Sequence, residues 1–112
     1  MSVAVRCMNP AIFGDGYPGF IYFVQMGIIG PVKIGYAKDC AKRVQGLQMS
    51  SPYKLNILYA TPASLEDEQM IHRQLRMSHG EIHIKGEWYH PAKVIFETIK
   101  DFKKWDRRIN DR

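Results

Sequence analysis

The sequence predicts an α+β domain, a small mixed three-stranded sheet in the order β-β-α-β-α-α covered by helices. Three observations lead there. Two β-rich runs, Phe20-Ile21-Tyr22-Phe23-Val24 and Val32-Lys33-Ile34-Gly35-Tyr36, flank Gly27 and Gly30-Pro31, which is the pattern of a hairpin. Two later segments space apolar residues at helical period, Cys40, Val44 and Leu47 in one and Leu65, Ile71 and Leu75 in the other. The chain has 112 residues, 46% of them hydrophobic and 24% charged, enough for one core.

Taken in order, residues 1–18 carry Asn9-Pro10, Gly14-Asp15-Gly16 and Pro18 without a sustained period and read as an irregular arm before a single domain over 19–112. After the hairpin, Asp39 is a natural N-cap for a first helix that ends near Ser50-Ser51-Pro52. Leu55, Ile57 and Tyr59 alternate with Asn56, Leu58 and Ala60, so a third strand is expected with both faces largely covered, stopping at Thr61-Pro62. Ser64 and Asp67 form a variant capping box for a second helix running to about Met77. Gly80 and Gly86 bracket a polar connection, and Glu87-Trp88-Tyr89 allows a further short strand. A third helix is expected from Pro91, burying Val94, Ile95, Ile99 and Phe102 and extending toward Ile109.

Composition narrows the function classes. No apolar run approaches the roughly 20 residues of a membrane span, and the apolar share is too high for a disordered chain. Met1 to Arg6 show neither a signal-peptide core nor a lipidation motif, so the expected location is cytoplasmic, with Cys7 and Cys40 as reduced thiols. Sixteen Lys and Arg against eleven Asp and Glu give +5 and a pI near 9.3, which suits a polyanionic partner without requiring one.

Several polar residues break the packing pattern. Glu68 lies three residues from both Leu65 and Ile71, on the inward stripe of the second helix, and His72 follows one turn later. A carboxylate there pairs with a cation, binds a metal, lines a cleft, or borders the stripe and reaches water. Arg43 either makes a surface pair with Asp39 or presents a planar guanidinium able to grip a phosphate. Tyr22 and Lys33 fall where a hairpin can set them on one side, with Tyr36 just beyond; a nearby cation would lower a phenol's pKa. His79 and His83 have metal-ligand spacing, but in a glycine-flanked loop without cysteines. Lys100, Lys103, Lys104, Arg107, Arg108 and Arg112 read as the wet face of the last helix, or as a track for a phosphate backbone.

Together these residues resemble the GIY-YIG nuclease superfamily, and within it the subgroup of phage open-reading-frame proteins and meiotically up-regulated gene products. The likeness covers about residues 19 to 99. Phe20-Ile21-Tyr22 stands at the first motif and Lys33-Ile34-Gly35 at the second. Tyr36 through Arg43 resembles the strand-to-helix junction ending in a phosphate-contacting arginine, Glu68-x-x-Ile71-His72 the subgroup's helix, and Gly86-Glu87-Trp88-Tyr89 its G-E-W-[FY] box. The sequence departs from the wider family at Phe20, where glycine is usual, and at Lys33, where tyrosine is usual. It also lacks the histidine after the first helix and the late asparagine of better-studied nucleases.

The resemblance implies a GIY-YIG-like fold and a metal-dependent endonuclease acting on DNA, or on RNA, with an inactive binding module on the same fold as the alternative. It implies that Glu68 holds one divalent ion, Mg2+ or Mn2+, that Arg43 neutralises charge on the phosphoryl oxygens, and that Tyr22, or Tyr36, takes a proton from the attacking water. Lys33 would lower that phenol's pKa, with His72 and Glu87 in support. Lys38, Lys42, Arg73 and Lys85 are the expected nucleic-acid contacts.

Overall fold

A computed structural model of the chain describes residues 19–110. Strands β1 (Gly19–Met26) and β2 (Val32–Ala37) form the expected hairpin, followed by α1 (Cys40–Met49), β3 (Leu55–Ala63) and α2 (Leu65–Ser78). A 3-10 turn at Gly80–Ile82 leads to β4 (His83–Lys85), β5 (Trp88–Tyr89) and α3 (Lys93–Asn110). The expected arm at residues 1–18 lies outside the described residues, as do the side chains of Arg108, Ile109 and Arg112.

The sheet has five strands in the order β3-β1-β2-β5-β4, and every pairing is antiparallel. This corrects the expectation of a mixed three-stranded sheet. Strands β1, β2 and β3 are those the sequence predicts and make up one side of the sheet, and β5 falls on the further short strand allowed at Glu87-Trp88-Tyr89; the unforeseen strand is β4, whose three residues are too short to show any periodicity. A second correction concerns β3, which continues through Thr61 and Pro62 to Ala63 and is only partly covered. It is an edge strand, where a missing proline N–H is tolerated.

Local chemistry fixes the elements that carry the polar residues. Asp39 Oδ1 accepts the Lys42 N–H at 3.1 Å and caps α1. Ser64 and Asp67 make the reciprocal capping box of α2, at 3.1 and 3.2 Å. Pro91 precedes α3 rather than opening it: the helix starts at Lys93, and the Ala92 carbonyl accepts the Ile95 N–H at 3.0 Å.

Strand alternation divides the core into two unequal parts. On one face Ile21, Phe23, Val32 and Ile34 pack with Ile71 and Leu75 of α2 and Ile95, Ile99 and Phe102 of α3. On the other, Tyr22 and Val24 meet Val44 of α1 and Leu55, with Trp88 against them. No helix among the described residues is long and apolar enough to cross a membrane.

Candidate active site

Register decides which hairpin residues share a face. Tyr22 is opposite Gly35 and Val24 opposite Lys33, so Tyr22, Lys33 and Gly35 all point toward α1. The Tyr22 ring covers Gly35 so closely that a Cβ there would collide with the phenol. Tyr36 is opposite Ile21 and packs against the other core, near Glu66 and Asp67, so the structure does not bring it to Tyr22.

Tyr22 is 1% exposed. Burial raises its phenol above the ordinary range; the nearby Arg43 guanidinium pulls it down, and the Glu87 charge raises it further. The cation that acts on this phenol is thus Arg43. Lys33 is engaged elsewhere: its Nζ pairs with Glu87 Oε1 at 2.6 Å and lies 5.8 Å from the Trp88 ring centre.

Glu68 and His72 belong to α2, on the opposite side of the sheet, and reach this neighbourhood through a break in the strand array. β5 pairs with β2 only at Val32 and Lys33. Beyond them the Ile34 N–H donates to the Glu87 carbonyl at 3.0 Å, and the Ile34 carbonyl accepts from His72 Nε2 at 2.9 Å. An imidazole therefore takes the place of the next strand. Because a carbonyl only accepts, this network assigns the proton to Nε2 and leaves Nδ1 bonded to the Tyr89 hydroxyl.

Glu68 is 4% exposed, and its Oε2 is 3.4 Å from His72 Nε2. Its carboxylate also lies within 4.8 Å of that of Glu87. Burial raises the Glu87 carboxyl, but hydrogen bonds from Lys33 and Glu68 and the Lys33 charge hold it below the usual carboxylate range. Two carboxyl groups this close repel unless a proton or a cation lies between them. A cleft of about 510 Å³ opens over the pair, lined also by Gln69, Arg73 and Arg76.

Ligand atoms of Glu68, His72 and Glu87 lie within 4.8 Å of one another. Both imidazole nitrogens are already hydrogen-bonded, so His72 orients the group and the free donors are carboxylate oxygens. That donor set fits a hard divalent ion such as Mg2+ or Mn2+. His79 and His83 are not part of the group.

A family model matches residues 19–110, that of the T5orf172 domain. The chain belongs to the T5orf172 domain family. This family is nuclease-associated and occurs in phage open reading frames. Comparison with curated proteins and with solved structures finds no match. All the side chains described above lie inside the matched T5orf172 segment.

Of the expected nucleic-acid contacts, Arg73 lines the cleft of this T5orf172 domain. Lys38 and Lys42 are exposed around the start of α1, and Lys85 is exposed on β4. Sequence reasoning missed the role of Tyr89 as the partner of His72. It also missed Arg76, whose guanidinium donates to the Gly86 carbonyl at 2.6 Å and ties α2 to the β4–β5 turn. The only signal for Tyr89 is its place in the Gly86–Tyr89 box, which shows an aromatic residue without showing what it touches.

Proposed function

We propose that this T5orf172 domain is a metal-dependent endonuclease that hydrolyses phosphodiester bonds in DNA, with Tyr22, Lys33, Arg43 and Glu68 at its site. The observation that carries this reading is the meeting of two groups beside β2: the buried Glu68 carboxyl paired with the half-exposed Glu87 carboxyl under an open cleft, and an arginine beside a buried phenol, with Glu87 acting on both. A divalent ion held by Glu68 and Glu87 would polarise the scissile phosphate and stabilise the departing oxygen.

The chain's own residues supply the rest. Arg43, exposed on α1 and adjacent to Tyr22, binds non-bridging phosphoryl oxygens and offsets their growing charge. Tyr22, as phenolate, takes a proton from the attacking water. Lys33 fixes Glu87, and His72 holds the Glu68 end of the pair while closing the β2 edge. Arg73 at the cleft rim, with Lys38, Lys42 and Lys85 on the surface, contacts the backbone. Tyr36 has no part in this reading.

The test is nicking of supercoiled plasmid by the purified chain with Mg2+ or Mn2+, with and without chelator, beside Glu68→Gln. The expected result is chelator-sensitive nicking that falls at least 10²-fold in the variant while its melting temperature is retained. A wild-type chain that never nicks, or a variant that nicks at the wild-type rate, removes the reading.

One observation favours a second reading, a binding module without turnover: Tyr22 is buried and its phenol is raised, which disfavours the phenolate. Salt-sensitive DNA binding without cleavage at any pH would select it.

A further inference from the structure

The β1–β2 turn is built against the usual rule for loops. Ile28 and Ile29 are 88% and 85% exposed at its tip, and Tyr53, on the α1–β3 loop beside it, is 62% exposed. Loop tips are normally polar, because bulky apolar groups held in water gain nothing for the fold.

This tip is also braced. Gly27, at φ +66°, donates its N–H to the Lys54 carbonyl at 2.7 Å, and its own carbonyl accepts from Asn56 Nδ2 at 2.9 Å. Gln25 Nε2 donates to the Gly30 carbonyl at 2.9 Å, and Met26 N–H to the Pro31 carbonyl at 2.9 Å. The Tyr53 carbonyl accepts from Ser51 Oγ at 2.8 Å and from Gln48 Nε2 at 3.0 Å. Both pieces of backbone are fixed before any partner arrives, so little ordering entropy remains to be lost on binding.

Charge identifies the partner. From Gly19 to Ser64 there are five basic residues, Lys33, Lys38, Lys42, Arg43 and Lys54, and one acid, Asp39. Nine of the eleven acids fall between residues 65 and 112. Lys42 and Lys54 line a groove between α1 and β3 in which Asp39, the cap of α1, is the one acid. An apolar tip beside a basic groove is the combination that meets exposed bases next to phosphates.

We propose that Ile28, Ile29 and Tyr53 form a wedge that seats against unstacked bases of DNA whose backbone lies along the Lys42–Lys54 groove, so that the domain selects DNA with locally unpaired bases. This deepens the endonuclease reading and rests on its nucleic-acid partner. Four strand steps of about 3.4 Å lead from Tyr22 to Met26, which places the tip roughly 15–20 Å from the phenol, about five nucleotide steps along one strand.

The test is fluorescence anisotropy in chelator, where nothing is cut, comparing a labelled duplex carrying a three-nucleotide bulge with the same duplex fully paired. Wild type is expected to prefer the bulge by on the order of tenfold. Ile28→Ser combined with Ile29→Ser, and separately Tyr53→Ala, are expected to lose the preference while binding the paired duplex within about twofold of wild type. These side chains are exposed, and unchanged melting temperatures show that the variants fold. Equal affinity for both duplexes, no DNA binding, or an undiminished preference in the variants overturns the wedge. So does a concentration-dependent dimer in sedimentation that the substitutions abolish, which would make the tip a self-association surface. Bulge preference without plasmid nicking keeps the wedge and removes the nuclease reading, and nicking without preference does the reverse.

Discussion

The two faces of the sheet are constructed for different ends. On the α2–α3 face, strand side chains interlock with two helices of 14 and 18 residues around a buried core of a dozen residues that includes Phe23, Ile34, Leu75 and Phe102. On the α1 face a helix of 10 residues buries only Val44, and the remaining ground is shared by Tyr22, Lys33 and Trp88. The first face holds the fold together by apolar burial. The second is thinly covered, and it is the face on which Arg43 comes up to Tyr22 and Lys33 pairs with Glu87. The candidate site draws on both, since Glu68 and His72 come from α2, but its Tyr22, Lys33 and Arg43 lie where little of the apolar core is at stake.

Damage to either face should tell in stability or in chemistry, but not in both. Phe102→Ala removes a ring in contact with the Phe23 ring, at 6.1 Å between centres, and is expected to cost about 3–5 kcal/mol of stability in denaturant unfolding. Below its melting point the variant should cut at close to the wild-type rate. If it loses activity while still folded, the faces are not separable.

Arg43→Ala is the reciprocal experiment. Its guanidinium is on the surface, so the midpoint of unfolding should hardly move, while cleavage under single-turnover conditions falls about 10²–10³-fold. Arg43→Lys should not restore it, since an ammonium cannot form the two parallel bonds of a guanidinium. A large loss of stability would mark Arg43 as part of the packing.

The smallest effect is the pH dependence. The Tyr22 pKa is raised, so at neutral pH the phenol is protonated and the phenolate is the minor form. Cleavage that uses the phenolate therefore increases as pH rises, by about tenfold per unit between pH 7 and 9. Tyr22→Phe should flatten the profile. A flat wild-type profile over that range would assign the proton transfer to another group.

Much of this was legible from residue order. The hairpin follows from its glycines, the first two helix starts from Asp39 and Ser64, and the inward direction of Glu68 from its spacing to Ile71 and Leu75; Leu65, expected on the same stripe, is instead 46% exposed at the start of α2. Alternation even places Tyr36 on the face of Ile34 and away from Lys33, if the period is carried one residue further. What was not legible depends on contacts between distant segments. The bond from His72 to the Ile34 carbonyl spans 38 positions, and nothing local shows it. β5 was allowed for at Glu87-Trp88-Tyr89, but its partner β4 is too short to announce itself, and the edge position that lets β3 run through Pro62 is a property of the whole sheet. The closeness of Arg43 to Tyr22 was equally hidden, because α1 must fold back over the hairpin before the two meet.

Position 35 makes the domain intolerant of addition rather than loss. Most damaging changes in a protein take atoms away, yet here a single methyl group on Gly35 would push the Tyr22 ring out of its place while leaving the strand pairing to form as before. Anyone redesigning this scaffold inherits that lock: the hairpin can be re-sequenced at many points, but the smallest residue in β2 decides where an aromatic ring on β1 comes to rest.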